Sequence, residues 1–104
     1  MIHYKIRYMD HTIKEIKVNG HAMYGDYGND IVCAAVSMAL IVTANAIETL
    51  GFKRMIELDV SEGHFHLQVK ENHPVIEGLL KNLNYTMYEL EAQYNANITV
   101  HKEA

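Results

Sequence analysis

The amino-acid sequence predicts an α+β fold, a mainly antiparallel sheet with two helices in the order ββαββαβ. Two stretches, residues 2–8 and 64–69, alternate apolar and polar side chains as half-buried strands do. Two longer stretches, residues 31–50 and 74–94, are apolar or amphipathic over the length of a helix. Because the chain has 104 residues, we expect one domain spanning 1–104.

Composition narrows the classes of function. The chain is 49% apolar, which is typical of a folded protein, and its formal net charge of −4 disfavours broad binding to nucleic acid. The single cysteine cannot form an internal disulfide, and this is typical of proteins of the reducing cytoplasm. The first ten residues alternate and carry charges, unlike a signal peptide. We therefore expect a cytoplasmic protein.

The first two strands are predicted to pair as a hairpin. The apolar positions of the first strand are Ile2, Tyr4, Ile6 and Tyr8. Asp10 and His11 then form a turn, and a less regular strand follows through Ile13, Ile16 and Val18. Strands joined by so short a connection pair side by side and antiparallel.

A glycine-rich loop and a long helix come next. The stretch from Gly20 to Asn29 holds three glycines and has neither a helical nor a strand period. We expect a loop of about ten residues, a length that is often functional in a small domain. Asp30 is a favourable N-cap, and apolar residues begin at Ile31. The helix is expected to end near Leu50, with Gly51 as its C′ residue.

This helix is long and apolar enough to be compared with a membrane span. A carboxylate and three other polar side chains interrupt it: Ser37, Thr43, Asn45 and Glu48. Such interruptions are uncommon in spans, so we interpret the segment as a buried helix and expect no membrane contact. Because the helix is apolar on nearly every side, we expect a second copy of the chain to cover part of it in a homodimer.

The second half repeats the pattern of a hairpin followed by a helix. Met55–Val60 and Gly63–Lys70 are predicted strands, with a turn at Ser61–Gly63. Pro74 suits the first turn of an amphipathic helix of about twenty residues, and Ile98–His101 forms a last strand. The polar face of this helix is predicted to hold Glu77, Lys81 and Glu91.

Cys33 is a candidate nucleophile. If Asp30 caps the helix, Cys33 is its third residue, where unpaired backbone N–H groups and the helix dipole favour a thiolate. His21 lies twelve residues upstream and can reach the thiol if the loop folds back, so it is a candidate base. The alternatives are a cysteine that serves as a small buried apolar side chain, and an exposed histidine at the end of a strand.

Neighbouring residues have two interpretations each. Gly20 is either a hinge that lets the next residue swing or the turn that ends the strand. Asp30 is either the helix cap or a third catalytic group that orients the imidazole of His21. Ser37 lies one turn beyond Cys33 and either hydrogen-bonds the thiolate or substrate or provides a small side chain for packing.

These residues resemble a known family. The segment GHA at 20–22, followed by YGNDIVCAAVS at 27–37, resembles the motif of the ribosomal-processing cysteine proteases, the Prp family. The likeness continues at 63–66 and 91–98 and so covers the whole length. It implies that His21 is the catalytic histidine and Cys33 the nucleophile. The motif aspartate, motif serine and loop glycine of the family then correspond to Asp30, Ser37 and Gly20.

The resemblance also implies a substrate. In that family a homodimeric protease removes a short N-terminal extension from the twenty-seventh protein of the large ribosomal subunit, before assembly, and the cleaved segment ends in aromatic residues. Tyr24 and Tyr27 are expected either to contact those aromatic side chains or to be exposed loop residues. The implied reaction, amide hydrolysis through a thioester, needs no cofactor.

Two other functions remain as alternatives. One is a non-catalytic module that holds a peptide during ribosome assembly. The other is a metal site, because His64 and His66 share one face of a predicted strand and can be joined by His21. Two histidines at this spacing are weak evidence, so no metal is expected.

Overall fold

A computed structural model describes residues 1–20 and 27–103, with side chains for 1–20 and 31–103. The elements, in chain order, are β1 (Ile2–Met9), β2 (Thr12–Asn19), α1 (Tyr27–Thr49), a 3-10 turn (Lys53–Met55), β3 (Ile56–Ser61), β4 (His64–Val69), α2 (Pro74–Gln93) and β5 (Ile98–Glu103). The predicted order ββαββαβ and the α+β class are confirmed.

One sheet of five strands organises the molecule, in the order β3-β4-β2-β1-β5. All neighbours are antiparallel except β1 and β5, which are parallel. The apolar side chains of the strands form a single core with the two helices. The other face of the sheet carries polar side chains, as the alternating sequence predicts. In this strand order, β3 and β5 are the two edges of the sheet.

The turn between β1 and β2 is built from two residues in the left-handed region. Asp10 has φ 51° and His11 has φ 66°. Two consecutive positive φ values are typical of a type I′ turn, whose twist matches that of the strands it joins. The predicted turn and hairpin are confirmed.

A buried polar pair lies inside the core. Tyr4 is fully buried, and its hydroxyl donates to the Oδ1 of Asn84, which is also buried. Burial raises the pKa of Tyr4 above its usual value, so this hydroxyl stays neutral and keeps its proton for the hydrogen bond. The pair joins β1 to α2 without an unsatisfied polar group.

Helix α1 is buried on one side only. The buried stripe consists of Val32, Val36, Leu40, Thr43 and Ile47. On the opposite side Ile31, Met38 and Val42 are 45%, 59% and 58% exposed. By length and composition alone, the segment Ile31–Thr49, with a mean hydropathy of 1.9, could also cross a membrane. The prediction of a buried helix is therefore correct for one face, and the outer face is open.

The two ends of α1 differ in how well they were predicted. At its C-terminus Gly51 has φ 92°, its N–H donates to the Glu48 carbonyl (3.0 Å), and the Phe52 N–H donates to the Ile47 carbonyl (2.9 Å). This is the Schellman arrangement, so the prediction of Gly51 as C′ residue is confirmed. At its N-terminus α1 begins at Tyr27, four residues earlier than the expected first residue Ile31, and Asp30 is its fourth residue rather than its N-cap.

Helix α2 begins at Pro74, as predicted, and His73 caps it by accepting from the Val75 N–H (3.1 Å). Its predicted polar face is only partly in solvent. Glu77 accepts from the Ile13 N–H (3.0 Å), and Glu91 accepts from the Val100 N–H (2.7 Å). Two of the three expected surface residues therefore attach α2 to the sheet.

Glu15 is the centre of a network on the polar face of the sheet. Its carboxylate contacts Nε of Arg7 (3.2 Å), Nε2 of His66 (2.7 Å) and Nε2 of Gln68 (3.2 Å). The hydrogen bond with His66 lowers the pKa of Glu15, and Arg7 lowers it further, while burial acts in the opposite direction. The network joins β1, β2 and β4 across three neighbouring strands.

The substitution Glu15→Gln is expected to destabilise the fold by about 1 kcal/mol at neutral pH, because a charge-assisted network is lost. The pKa of Glu15 is lowered in the folded state, so the advantage of the wild type is full above the ordinary value of 4.5. The advantage shrinks as the pH falls through the folded-state pKa. Urea unfolding of both proteins as a function of pH measures this, and a difference that is constant with pH contradicts it.

Candidate active site

A cavity of about 370 Å³ opens between the first half of α1, the start of β1 and the β3–β4 turn. Its lining includes the apolar side chains Ile2, Val18, Val36, Leu40, Ile41, Val60 and Phe65. Gly20, Cys33, Ser37 and the residues of 61–64 complete the wall. The structure thus brings three sequence-predicted site residues to one cavity.

The cavity wall on the α1 side is one flank of the helix. Cys33, Ser37 and Ile41 follow one another at intervals of four residues and so share this flank. Cys33 is half-buried and has a free thiol, while Ser37 is exposed. A thiol in this position is accessible to a molecule in the cavity, with a hydroxyl one turn away.

The position of Cys33 within α1 differs from the prediction. Because the helix begins at Tyr27, Cys33 is its seventh residue, not its third. The free N–H groups of a helix belong to its first turn, and the N–H of a seventh residue bonds to the carbonyl four residues earlier. The expectation that Cys33 lies among the unpaired N–H groups of the first turn is therefore wrong.

Gly20 ends β2 in a conformation that suits only glycine. Its φ is +111°, its N–H donates to the Gly63 carbonyl (3.1 Å), and a Cβ at this position would collide with the Met1 carbonyl oxygen. Of the two interpretations, a turn that ends the strand is the one that the structure describes. Gly20 also lines the cavity and directly precedes His21.

The β3–β4 turn is the part of the cavity wall that sequence reasoning missed. Ser61, Glu62, Gly63 and His64 line the cavity, and of these only His64 had been considered, as a metal ligand. Its Nδ1 lies 2.8 Å from Oδ1 of Asn19, and its Nε2 lies 3.6 Å from the Asp59 carboxylate. Both ring nitrogens of His64 thus face polar groups of the sheet. Only the pairing of β2 with β4, which is not readable from local sequence, brings this turn to Cys33.

Some predicted site residues lie outside the described part of the chain. His21 and Tyr24 fall in residues 21–26, and their roles stay predictions. Tyr27 is the first residue of α1, so the expectation that it lies in the loop is wrong, while its contact with the substrate stays a prediction. The side chains of Tyr27 and Asp30 also lie outside the described residues. Because Asp30 is not the helix cap, its role as a catalytic partner of His21 is the interpretation that stays a prediction.

The metal alternative depends on a cluster of ligating side chains around His64 and His66. Among the side chains of residues 1–20 and 31–103, no group of three or more from His, Cys, Asp and Glu is arranged to hold a metal ion. His66 hydrogen-bonds Glu15, and His64 hydrogen-bonds Asn19. The two histidines of the metal alternative are therefore occupied with partners on the sheet.

Comparison with known proteins identifies relatives along nearly the whole chain. A family model described as cysteine protease Prp matches residues 1–99. The chain is 36% identical over 88 residues to the ribosomal processing cysteine protease Prp of Staphylococcus aureus, covering 83% of each chain. It is 27% identical over 101 residues to the protein of the same name from Bacillus subtilis, covering 88% of this chain and 87% of that one.

Solved structures agree in fold. The S. aureus Prp structure in complex with a substrate peptide superposes with a TM-score of 0.90 and 30% identity, covering 99% of this chain and 100% of that one. The structure of the same enzyme with a covalently linked product peptide gives a TM-score of 0.86 at the same identity and coverage. This chain therefore belongs to the Prp family and is a cysteine protease.

Proposed function

We propose that this protease removes the N-terminal extension of the twenty-seventh protein of the large ribosomal subunit, and that it does so in the cytoplasm. Cys33 is the nucleophile, and His21 is the general base and acid. The observation that carries the proposal is the cavity, which combines the only thiol of the chain with a largely apolar wall. The relatives named as ribosomal processing proteases support the class of substrate.

The chemistry needs few groups. His21 takes the proton of the Cys33 thiol, and the thiolate attacks the scissile carbonyl. The C–N bond then breaks as His21 passes that proton to the leaving amine, which leaves a thioester. Water, deprotonated by His21, then hydrolyses the thioester and regenerates the thiol. Asp30 is proposed to orient His21, and Ser37 to hydrogen-bond the substrate from the next turn of α1. The proposed reaction uses only protein side chains and water.

The size and polarity of the cavity support an apolar side chain beside the cleaved bond. A volume of about 370 Å³ is at the lower end of the range for sites that hold drug-sized ligands and accommodates one or two large side chains. Its walls, which include Val36, Leu40 and Phe65, supply apolar contact. Tyr24 and Tyr27 are proposed to extend this contact to aromatic residues of the substrate.

Incubation of the wild-type protein with the extended ribosomal protein tests the proposal. The expected result is a single shortened product, seen by intact-mass spectrometry, whose removed segment ends in aromatic residues. An unchanged mass at high enzyme concentration would rule the proposed substrate out, as would cuts scattered along the ribosomal protein. The same ribosomal protein made without its extension is the control and is expected to stay intact.

We also propose that the protease is a homodimer that buries the outer face of α1. Ile31, Met38 and Val42 lie on the side opposite the core stripe, and Met38 and Val42 are adjacent at i and i+4. Exposed apolar stripes of this kind mark association surfaces. The flank that carries Cys33 and Ser37 lies to one side of this stripe, so a partner on the outer face leaves the cavity open.

Lysine at positions 38 and 42 is expected to convert the dimer into a monomer, because two charges cannot be buried in an apolar contact. Sedimentation equilibrium of Met38→Lys/Val42→Lys measures this. The matched control is Val75→Lys/Tyr85→Lys, which places the same charges at exposed apolar positions of α2. Equal molecular masses for the two double variants would contradict the assigned surface.

A further inference from the structure

Strand β3 exposes backbone groups at the edge of the sheet. The Lys70 N–H donates to the Met55 carbonyl (2.8 Å), while the Met55 N–H donates to the Phe52 carbonyl (2.9 Å). Met55 therefore lies at a hydrogen-bonding position of the ladder, one residue before the pair Ile56–Val69. In an antiparallel ladder hydrogen-bonded pairs alternate with pairs that point their backbone groups away. Leu58 and Val60 therefore direct N–H and C=O groups to the open edge, where β3 has no neighbour in the described sheet.

The side chains of the same two residues share one face of β3, and that face reaches the cavity at Val60. Leu58 and Val60 are 42% and 58% exposed, and Val60 lines the cavity together with Ile41 of α1. A short connection, residues 50–55, joins the end of α1 to the start of β3, so the helix and the strand run in opposite directions. An apolar trough thus lies between the β3 edge and the α1 flank and leads to Cys33.

The other face of β3 is acidic. Glu57 and Asp59 are exposed there, and Glu62 follows in the turn. The side chain of Asp59 is 77% exposed and lies 3.6 Å from His64. Arg54 precedes the strand, so positive charge is confined to its beginning. Opposite charges across neighbouring strands stabilise pairing and like charges oppose it.

These charges select the occupant of the edge. If two copies of β3 paired with each other in an antiparallel way, Glu57 and Asp59 of one copy would oppose the same acids of the other. A peptide with apolar residues at alternate positions and Lys or Arg between them has the complementary pattern on both faces. An acidic edge strand therefore favours such a peptide over a second copy of the chain.

We propose that the substrate peptide adds to the sheet as a further strand along β3. Its apolar side chains enter the trough toward Cys33, and its basic side chains face Glu57 and Asp59. This rests on the proposed function in that the peptide is the substrate of the protease. Main-chain pairing sets the register of the peptide, and the register presents one bond to the thiol.

Reversing the charges of Glu57 and Asp59 tests the proposed contacts between these side chains and the peptide. The probes are two eight-residue peptides, one alternating Leu and Lys and one alternating Leu and Glu, titrated into the uncleaving variant Cys33→Ala. The Lys peptide is expected to bind more tightly, and Glu57→Lys/Asp59→Lys is expected to change the ratio of the two affinities by roughly tenfold in favour of the Glu peptide. Glu89→Lys/Glu103→Lys, with the same change of net charge at exposed sites on α2 and β5, is the control. An equal change of the ratio in both double variants would overturn the proposal.

Backbone methylation tests the pairing itself. Only every second amide of an added strand faces β3, so peptides N-methylated on all Leu or on all Lys residues should differ. Loss of binding on Leu methylation alone indicates an antiparallel added strand, and loss on Lys methylation alone indicates a parallel one. Equal affinity of the two methylated peptides would overturn strand addition.

The processing assay separates this proposal from the proposed function. Glu57→Lys/Asp59→Lys is expected to raise KM for the extended ribosomal protein with little change in kcat. If the wild type processes that protein and the double variant does so with the same KM, the edge proposal fails while the protease assignment stands. If the wild type leaves the ribosomal protein intact but the peptide titrations show the alternation, the proposed substrate fails while the edge proposal stands.

Discussion

The Cys33→Ala variant is expected to lose processing of the extended ribosomal protein by roughly 10⁴-fold or more in kcat/KM, because no other group in the chain can form the thioester. The variant should stay folded, since Cys33 is only half-buried and lines a cavity. Its thermal unfolding is the control for fold. Processing at more than a hundredth of the wild-type rate, measured with the same substrate, would rule out Cys33 as the nucleophile.

Histidine variants assign the base in the same assay. His21→Ala is expected to lower kcat by roughly 10²- to 10⁴-fold, the usual contribution of a general base. His101→Ala, on the far edge strand β5, is the control and should change kcat little. His64→Ala is informative because His64 lines the cavity but has both ring nitrogens beside Asn19 and Asp59. A loss of kcat of roughly 10²-fold or more in His64→Ala, together with an unchanged kcat in His21→Ala, would show that the assignment of the base is wrong.

The Gly20→Ala variant is expected to be both less stable and less active. Its φ of +111° disfavours any residue with a Cβ, and that Cβ would collide with the Met1 carbonyl oxygen, so β1 and the end of β2 must move apart. A backbone conflict of this kind costs about 1–3 kcal/mol, or roughly 5–15 °C in Tm for a chain of this size. Because Gly20 directly precedes His21, kcat/KM should fall further than the loss of folded protein explains.

Gly78→Ala is the matched control for this substitution. Gly78 lies in α2, and a Cβ there meets no atom within 4 Å. Alanine is favoured over glycine in a helix by about 0.5–1 kcal/mol, so this variant should be slightly more stable with unchanged activity. A Gly20→Ala protein that melts and processes like the wild type would contradict the described conformation at the end of β2.

Features set by local sequence were predicted well. The two-residue turn at Asp10 and His11, the C′ glycine at position 51 and the helix start at Pro74 each depend on the φ or the missing N–H of one residue. The start of α1 was placed four residues too late, at Ile31 instead of Tyr27. The reason is that Asp is favourable both as an N-cap and within the first turn, where it complements the helix dipole, so Asp30 fits either position.

Features set by pairing of distant strands were not predicted. The β3–β4 turn lines the cavity because β4 pairs with β2, which joins the Gly63 carbonyl to the Gly20 N–H. Glu77 and Glu91 were expected in solvent because helical periodicity places them opposite the apolar stripe, but each accepts from a backbone N–H of the sheet. Periodicity reports which face of a helix is apolar, and it does not report where a neighbouring strand ends.

Identification of the residue that carries the acyl group is the most direct test of the central claim. The wild-type protein is mixed with the extended ribosomal protein, quenched in acid during the first turnover, and measured by intact mass and peptide mapping. We predict an adduct equal to the removed N-terminal segment less one water, located on Cys33 and released by hydroxylamine, as a thioester is. An adduct on any other residue, or undiminished processing after Cys33 has been alkylated, would contradict the account.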